Sequence, residues 1–194
     1  IFVDVELDTF NINPDLIEKK ITKHTVAILG VHTFSNPCNV EKIGKIAKKH
    51  DIKVIYDAAH SMFANYKKKT ILSYGDVSAT SLHATKILNS VEGGVCISKN
   101  QTLDKKIKKI RFFGFDNKGV IKNFGTNAKM TEMHAIMGIL NLKNIKKILS
   151  ERKRQYLLYL NYLKNNPSIS FQNFNKDKYN YSYMPIIVKN NKRL

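Results

Sequence analysis

The chain has few of the residues that mark secreted or membrane-spanning proteins. It contains two cysteines, Cys38 and Cys96, which lie far apart and form neither a metal-type nor a redox-type spacing. No apolar run approaches the roughly 18 residues that a membrane-spanning helix needs, so no membrane association is expected. The cysteine pattern predicts two reduced, structural thiols in a cytoplasmic protein.

Arginine is also scarce, although the formal net charge of the chain is +18. Such an excess raises a nucleic-acid hypothesis, because neutralising phosphates is its commonest use. Nearly all of the excess is lysine, however, whereas bidentate contacts to phosphates and bases favour arginine. Lysines such as Lys45, Lys48 and Lys49 fall on the predicted solvent face of a helix. We therefore predict a solvated basic surface that would attract an anionic substrate, with a nucleic-acid-binding domain as the less favoured alternative.

Strand and helix signals alternate over the first half of the chain. Strands are predicted at residues 2–5, 26–31, 54–56, 78–82 and 94–97, and helices at about 14–20, at 40–49 and after residue 97. Asn13 with Pro14, and then Asn39, are predicted to cap the first two helices. The continuous apolar run 26–31 predicts a strand that is covered on both faces. The alternation predicts an α/β domain with a mainly parallel central sheet.

Beyond Lys129 the apolar spacing becomes helical and continues to Leu163, where Asn165-Asn166-Pro167 predicts the end of the helix. One further apolar run, at residues 184–188, could begin a strand of a second, smaller domain. We therefore predict a large domain over residues 1–150. Residues 151–194 are expected to form a linking helix and the start of a small C-terminal α/β domain.

Two polar side chains follow predicted strands of the sheet. Asp57 comes directly after the run 54–56, and Lys86 lies a few residues beyond the run 78–82, ahead of Glu92-Gly93-Gly94. Ligands gather at the carboxyl ends of strands in such sheets. A lysine and a carboxylate placed there are the minimum set for pyridoxal 5'-phosphate, since the lysine forms the Schiff base and the carboxylate pairs with the pyridine nitrogen. An ordinary surface lysine and a helix-capping aspartate are the simpler alternatives.

The exact residue strings of these segments are more specific evidence than the presence of a lysine and a carboxylate alone. The string DAAHS at residues 57–61, the turn Tyr74-Gly75-Asp76, the string SLHATK at 81–86 and the diglycine that follows closely resemble the DegT/DnrJ/EryC1/StrS family of sugar aminotransferases. The resemblance covers nearly the whole chain and becomes faint after Leu163. It implies the large domain of a fold type I enzyme. Because family members are longer, it also implies an internal fragment of such an enzyme.

The resemblance assigns roles to five residues. Lys86 would be the catalytic lysine that carries the cofactor, Asp57 the partner of its ring nitrogen, and Ser81 a donor to its phosphate. His60 would contact the cofactor, and Asn127 would reach the phosphate of the neighbouring subunit's cofactor, which implies a homodimer with shared active sites. An ordinary strand serine, a structural histidine and a turn asparagine remain the alternatives for Ser81, His60 and Asn127.

The implied reaction is the transfer of an amino group, by family habit from glutamate, to a dTDP- or UDP-linked keto-deoxy-sugar. Such products supply amino sugars for surface polysaccharides. A lysine at position 86 is expected for amino transfer, since related dehydrating members carry histidine there. A non-catalytic or regulatory member of the same fold stays open as an alternative.

Overall fold

The computed structural model describes residues 1–174 and 179–189 of the chain. Its strands are β1 (Ala27–Val31), β2 (Lys53–Asp57), β3 (Asn65–Tyr66), β4 (Lys69–Thr70), β5 (Val77–Ser81), β6 (Gly94–Ile97), β7 (Ile169–Phe171) and β8 (Ile186–Val188). Its α-helices are α1 (Pro14–Ile17), α2 (Val40–Lys49), α3 (Gln101–Ile110), α4 (Glu132–Lys143) and α5 (Ile145–Leu163).

A mixed, mainly parallel sheet forms the centre of the molecule, with the strand order β1-β2-β5-β6. β1, β2 and β5 run parallel, and β6 runs antiparallel to β5. The predicted α/β class is therefore confirmed. The carboxyl ends of β2 and β5 lie side by side, since Asp57 pairs with Ala79.

Helix α2 supplies the core on one face of the sheet. Its apolar residues recur at helical spacing, and Val40, Ile43 and Ile46 are buried in one cluster with Val54 and Tyr56 of β2. The predicted cap is present, because Asn39 Oδ1 accepts a hydrogen bond from the Lys42 backbone N–H at 3.1 Å. The sequence prediction of residues 40–49 matches the observed helix.

The opposite face of the sheet is open in the described residues. Leu29 and Val31 of β1 are 61% and 44% exposed, whereas Ile28 is buried. The prediction that this strand is covered on both faces is therefore wrong for the part of the chain that the structure describes. The predicted strand at 2–5 also does not form as a strand, since its residues make only an isolated bridge between Val5 and Ile12.

The later helices end as predicted, with α5 stopping at Leu163 before Asn165-Asn166-Pro167. The apolar run 184–188 contains β8, which pairs with β7 in a sheet separate from the central one. Part of the predicted second domain, residues 175–178 and 190–194, lies outside the described residues. The division at residue 150 stays a prediction.

Two further predictions concern the cysteines and membrane-spanning helices. Both cysteines are free, but only Cys38 has the buried position typical of a structural thiol, while Cys96 on β6 is exposed. None of the helices in the described ranges combines the length and apolar character that a bilayer crossing demands.

Candidate functional site

The candidate site begins at the carboxyl end of β2. Asp57 is the last residue of this strand, and its carboxylate is exposed to an open cleft rather than packed in the core. Its Oδ1 accepts a hydrogen bond from the Ala59 backbone N–H at 2.9 Å, which holds the side chain over the strand end. Among the described residues no ion pair neutralises this carboxylate, so its charge remains available to a ligand.

The adjacent strand end supplies a hydroxyl. Ser81 is the last residue of β5 and is half-buried, and its Oγ accepts a hydrogen bond from the His83 backbone N–H at 3.2 Å. The hydroxyl hydrogen can still be donated to an acceptor in the cleft.

The loop between β5 and β6 carries Lys86, which is half-buried. Its backbone N–H donates to the His83 carbonyl at 2.9 Å in a local turn. The loop closes at Gly93, where φ is +145° and a Cβ atom would lie 2.8 Å from Ser90 Oγ and 2.9 Å from Met130 Cε. Only glycine fits there, so the diglycine returns the chain to β6 while Lys86 stays beside the strand ends.

Two adjoining cavities join these residues. One, of about 390 Å³, is lined by Asp57, Ala59 and Ser81 together with Gly93 and Gly94. The other is smaller and is lined by Ala59, His60, Ser81, Lys86, Ser182 and Tyr183 among others. Because Ala59 and Ser81 line both, the structure brings four of the five predicted site residues to one edge of the sheet.

The electrostatics of His60 show how close these groups are. Burial is the largest cause that lowers the pKa of His60, and the positive charge of Lys86 lowers it further. The carboxylate of Asp57 acts in the opposite direction and raises this pKa. The imidazole therefore lies within electrostatic reach of both the lysine and the carboxylate.

Asn127 is not brought to this edge. It is exposed and forms an isolated bridge with Phe112, and it lines neither of the two cavities. Its role at the neighbouring subunit's cofactor stays a prediction, since that role would be exercised on another copy of the chain.

Sequence reasoning did not identify Ser182 and Tyr183 as site residues. They reach the site from 122 positions away, as the hydrogen bond from Ser182 Oγ to the His60 carbonyl shows. No local pattern marks them, because their place in the site depends on a long-range contact.

The residues present fit pyridoxal phosphate. Its aldehyde requires an amine that is not tied up in an ion pair, and Lys86 takes part in none of the ion pairs found among the described residues. Its ring nitrogen requires a carboxylate, which Asp57 offers, and its phosphate requires donors such as the Ser81 hydroxyl. Asp57 and Ser81 line one cavity, and Ser81, His60 and Lys86 line the cavity that adjoins it.

Comparison with known proteins agrees with this chemistry. A sequence model of the DegT/DnrJ/EryC1/StrS aminotransferase family matches residues 1–194. The chain is 37% identical over 190 residues to the dTDP-4-amino-4,6-dideoxy-D-glucose transaminase of Shigella dysenteriae, covering 97% of the chain and 52% of that protein. It is 39% identical over 191 residues to the Escherichia coli protein of the same name, covering 97% and 51%.

The fold agrees as well. The crystal structure of DesI in the presence of its TDP-sugar product matches with a TM-score of 0.91 at 30% sequence identity. The match covers 97% of this chain and 48% of DesI. The chain thus spans about half the length of the relatives it matches.

Proposed function

The chain belongs to the DegT/DnrJ/EryC1/StrS aminotransferase family, and on that premise we propose that the protein is a pyridoxal-phosphate-dependent aminotransferase that acts on a nucleotide-linked keto-sugar. The observation that carries the proposal is the convergence of Lys86, Asp57 and Ser81 at the adjacent carboxyl ends of β2 and β5. Site residues in α/β sheets are expected at such strand ends.

Each residue has a role that its chemistry allows. When bound, pyridoxal phosphate supplies a ring that accepts electrons from the substrate carbon. The Lys86 amine would hold the cofactor and would move the proton at the substrate carbon, first as general base and then as general acid. The Asp57 carboxylate stabilises the protonated ring nitrogen by its opposite charge. The Ser81 hydroxyl donates to the phosphate, and the His60 imidazole contacts the cofactor beside Lys86.

The substrate is a sugar nucleotide, and a dTDP-linked keto-deoxy-hexose is favoured over a UDP-linked one. The two transaminases at 37% and 39% identity act on dTDP-linked amino sugars by name. The net charge of +18 would attract a diphosphate of this kind. Glutamate is the proposed amino donor, and an amino sugar for surface polysaccharide is the proposed product.

The assembly follows from the same premise. We propose a cytoplasmic homodimer with shared active sites, in which Asn127 reaches the cofactor phosphate of the neighbouring subunit. The exposed position of Asn127 supports this, and so do the exposed apolar residues of α4, which include Met133 and Ile136. The large and small domains would divide near residue 150.

The test is an absorption spectrum of the whole protein with pyridoxal phosphate, beside the variants Lys86→Ala and Lys45→Ala. We expect a visible band that depends on covalent attachment and that bleaches when glutamate is added. Lys86→Ala should lose the band entirely, whereas Lys45→Ala, which removes an exposed lysine of α2, should keep it.

Two results would count against the proposal. A band that survives in Lys86→Ala would show that another amine holds the cofactor. No band in the unsubstituted protein would favour the non-catalytic or regulatory alternative. Turnover of a panel of dTDP- and UDP-linked keto-sugars would then identify the acceptor.

A further inference from the structure

The backbone of His60 is held by side chains from two distant parts of the chain. Its carbonyl accepts hydrogen bonds from Ser35 Oγ, from Asn180 Nδ2 at 2.7 Å and from Ser182 Oγ at 3.1 Å. One carbonyl oxygen therefore receives three donors, although most receive one or two. These hydrogen bonds connect His60 both to the β1–α2 loop and to the segment before β8.

The His60 ring is held in the same way. The Phe34 ring lies parallel to it, at an interplanar angle of 7° and a centroid distance of 5.9 Å. The Tyr183 ring packs against it at 4.5 Å, and the Phe34 and Tyr183 rings are themselves 5.4 Å apart. The Phe34, His60 and Tyr183 rings thus contact one another as a group of three.

The anchor of the distant segment is a buried amide. Asn180 is 1% exposed, and its Nδ2 donates to the Met62 carbonyl at 2.8 Å as well as to that of His60. Its Oδ1 accepts from the Ser182 backbone N–H at 3.1 Å, and it also lies 2.6 Å from Ser182 Oγ, whose single proton it shares with the His60 carbonyl. A buried amide with both ends satisfied specifies one arrangement of the segment, because any other would leave polar groups unpaired.

Both parts of the chain that hold His60 contain strained backbone. Phe34 and Ser35 have φ angles of +54° and +71°, and Tyr181 has a φ of +58°. Residues other than glycine rarely adopt this left-handed region, and such strain persists only where the surrounding contacts impose it. The contacts to His60 are among those that hold this strained backbone in place.

The held imidazole faces the predicted cofactor lysine. His60, Lys86, Ser182 and Tyr183 line the same small cavity. The charges that act on the imidazole are those of Lys86 and Asp57, and the Tyr183 ring contributes to its burial.

We propose that Asn180, Ser182 and Tyr183 are positioning residues that hold the His60 imidazole beside Lys86, so that a segment far along the chain completes the cofactor site. The group that the imidazole would contact is the cofactor, and in this respect the proposal rests on the proposed function. The positioning itself rests on contacts within the chain.

The experiment is a pH titration of the His60 ring by NMR in the cofactor-free whole protein with labelled histidine, assigned with His60→Gln. In the unsubstituted protein the pKa of His60 should lie below its ordinary value of 6.5. Tyr183→Phe should keep this lowered pKa. Tyr183→Ala should raise it towards 6.5, because removing the ring exposes the imidazole to water.

Tyr183→Leu guards against a loss of folding in the alanine variant. It keeps apolar volume but removes the aromatic ring, so the ring resonances of His60 should shift even where its pKa changes little. Tyr181→Ala is the matched control, since the Tyr181 ring packs on Tyr156 and Tyr179 instead. It should leave the His60 resonances unchanged.

Unchanged His60 resonances in Tyr183→Leu would overturn the proposal, and so would an equal effect of Tyr181→Ala. Neither measurement requires cofactor. A protein that fails to form the absorption band can therefore still show the positioning, and one that forms the band can still lack it.

Discussion

At the scale of single residues, His32 shows how burial sets a charge state. Its ring stacks on Tyr56 at 4.4 Å, and its Nδ1 accepts a hydrogen bond from the Cys38 backbone N–H at 3.1 Å. Its Nε2 and the Tyr56 hydroxyl are buried without a hydrogen-bond partner in the described residues. Burial lowers the pKa of His32 to about 3, so the ring is neutral in the folded protein.

The free energy of unfolding should therefore fall as pH falls. Between about pH 6.5 and 3 the unfolded chain binds a proton at His32 that the folded chain excludes. This one group should remove up to about 1.4 kcal/mol of stability per pH unit across that window. Urea unfolding of the whole protein from pH 8 to pH 4.5, compared with His32→Asn, measures the effect.

The variant should show a flatter pH dependence than the unsubstituted protein. His24→Asn is the control, since His24 is exposed, and it should leave the pH dependence unchanged. Parallel curves for the unsubstituted protein and His32→Asn would show that His32 is protonated in the folded state.

At the scale of elements, the turn at Tyr74-Gly75-Asp76 places β5 beside β2. The Asp76 carboxylate accepts a hydrogen bond from the Val54 backbone N–H at 2.8 Å, and the Asp76 backbone N–H donates to the Val54 carbonyl at 2.8 Å. Gly75 has a φ of +76°, and a Cβ atom there would lie 2.8 Å from the Tyr56 ring and 3.0 Å from the Val54 carbonyl oxygen. The register that brings Asp57 and Ser81 together depends on this close approach.

Substitution of Gly75 should consequently be costly. Gly75→Ala should lower the free energy of unfolding by about 2–4 kcal/mol, from left-handed backbone and from overpacking against Tyr56. Gly119→Ala is a matched control, because Gly119 also has a φ of +76° but has no atom within 4 Å of its added Cβ. It should cost only about 1–2 kcal/mol for the backbone. Equal losses in urea unfolding would show that the contact with Tyr56 is relaxed without cost.

At the scale of the whole molecule, apolar surface and positive charge oppose each other. Met133 and Ile136 of α4 are 75% and 52% exposed, and one face of the central sheet is uncovered in the described residues. Large exposed apolar surface usually marks an interface. The net charge of +18 favours separate molecules through mutual repulsion.

Self-association of the whole protein should therefore strengthen as salt is added, because salt screens the repulsion while the apolar contact remains. Sedimentation at low and high salt measures this. Ile136→Lys should raise the dimer dissociation constant at least about tenfold, equivalent to about 1.4 kcal/mol. Leu7→Lys, which makes the same change in charge on an exposed residue outside α4, should have a smaller effect. A protein that stays monomeric at all salt concentrations would contradict the proposed dimer.

The sequence by itself determined the elements whose signals are short-range. Helix α2 was predicted at its observed bounds because its apolar spacing and the Asn39 cap are both local. The strands that carry Asp57 and Ser81 were predicted to within one residue of their observed ends for the same reason, and the family resemblance added the role of Lys86. The prediction that the strand at 26–31 is covered on both faces was wrong for the described residues. An apolar run shows that a strand can be buried, but it does not show which other elements are present to cover it.

Only the tertiary structure decided which of these residues meet. The antiparallel direction of β6 was visible only in the sheet. The contact of Asn180 and Ser182 with His60 joins segments that are 120 and 122 positions apart in sequence. Their formation depends on the whole chain offsetting the entropy of closing long loops, which no local pattern records. The composition of the site was thus largely readable from the sequence, whereas the residues that hold it in place became visible only in the fold.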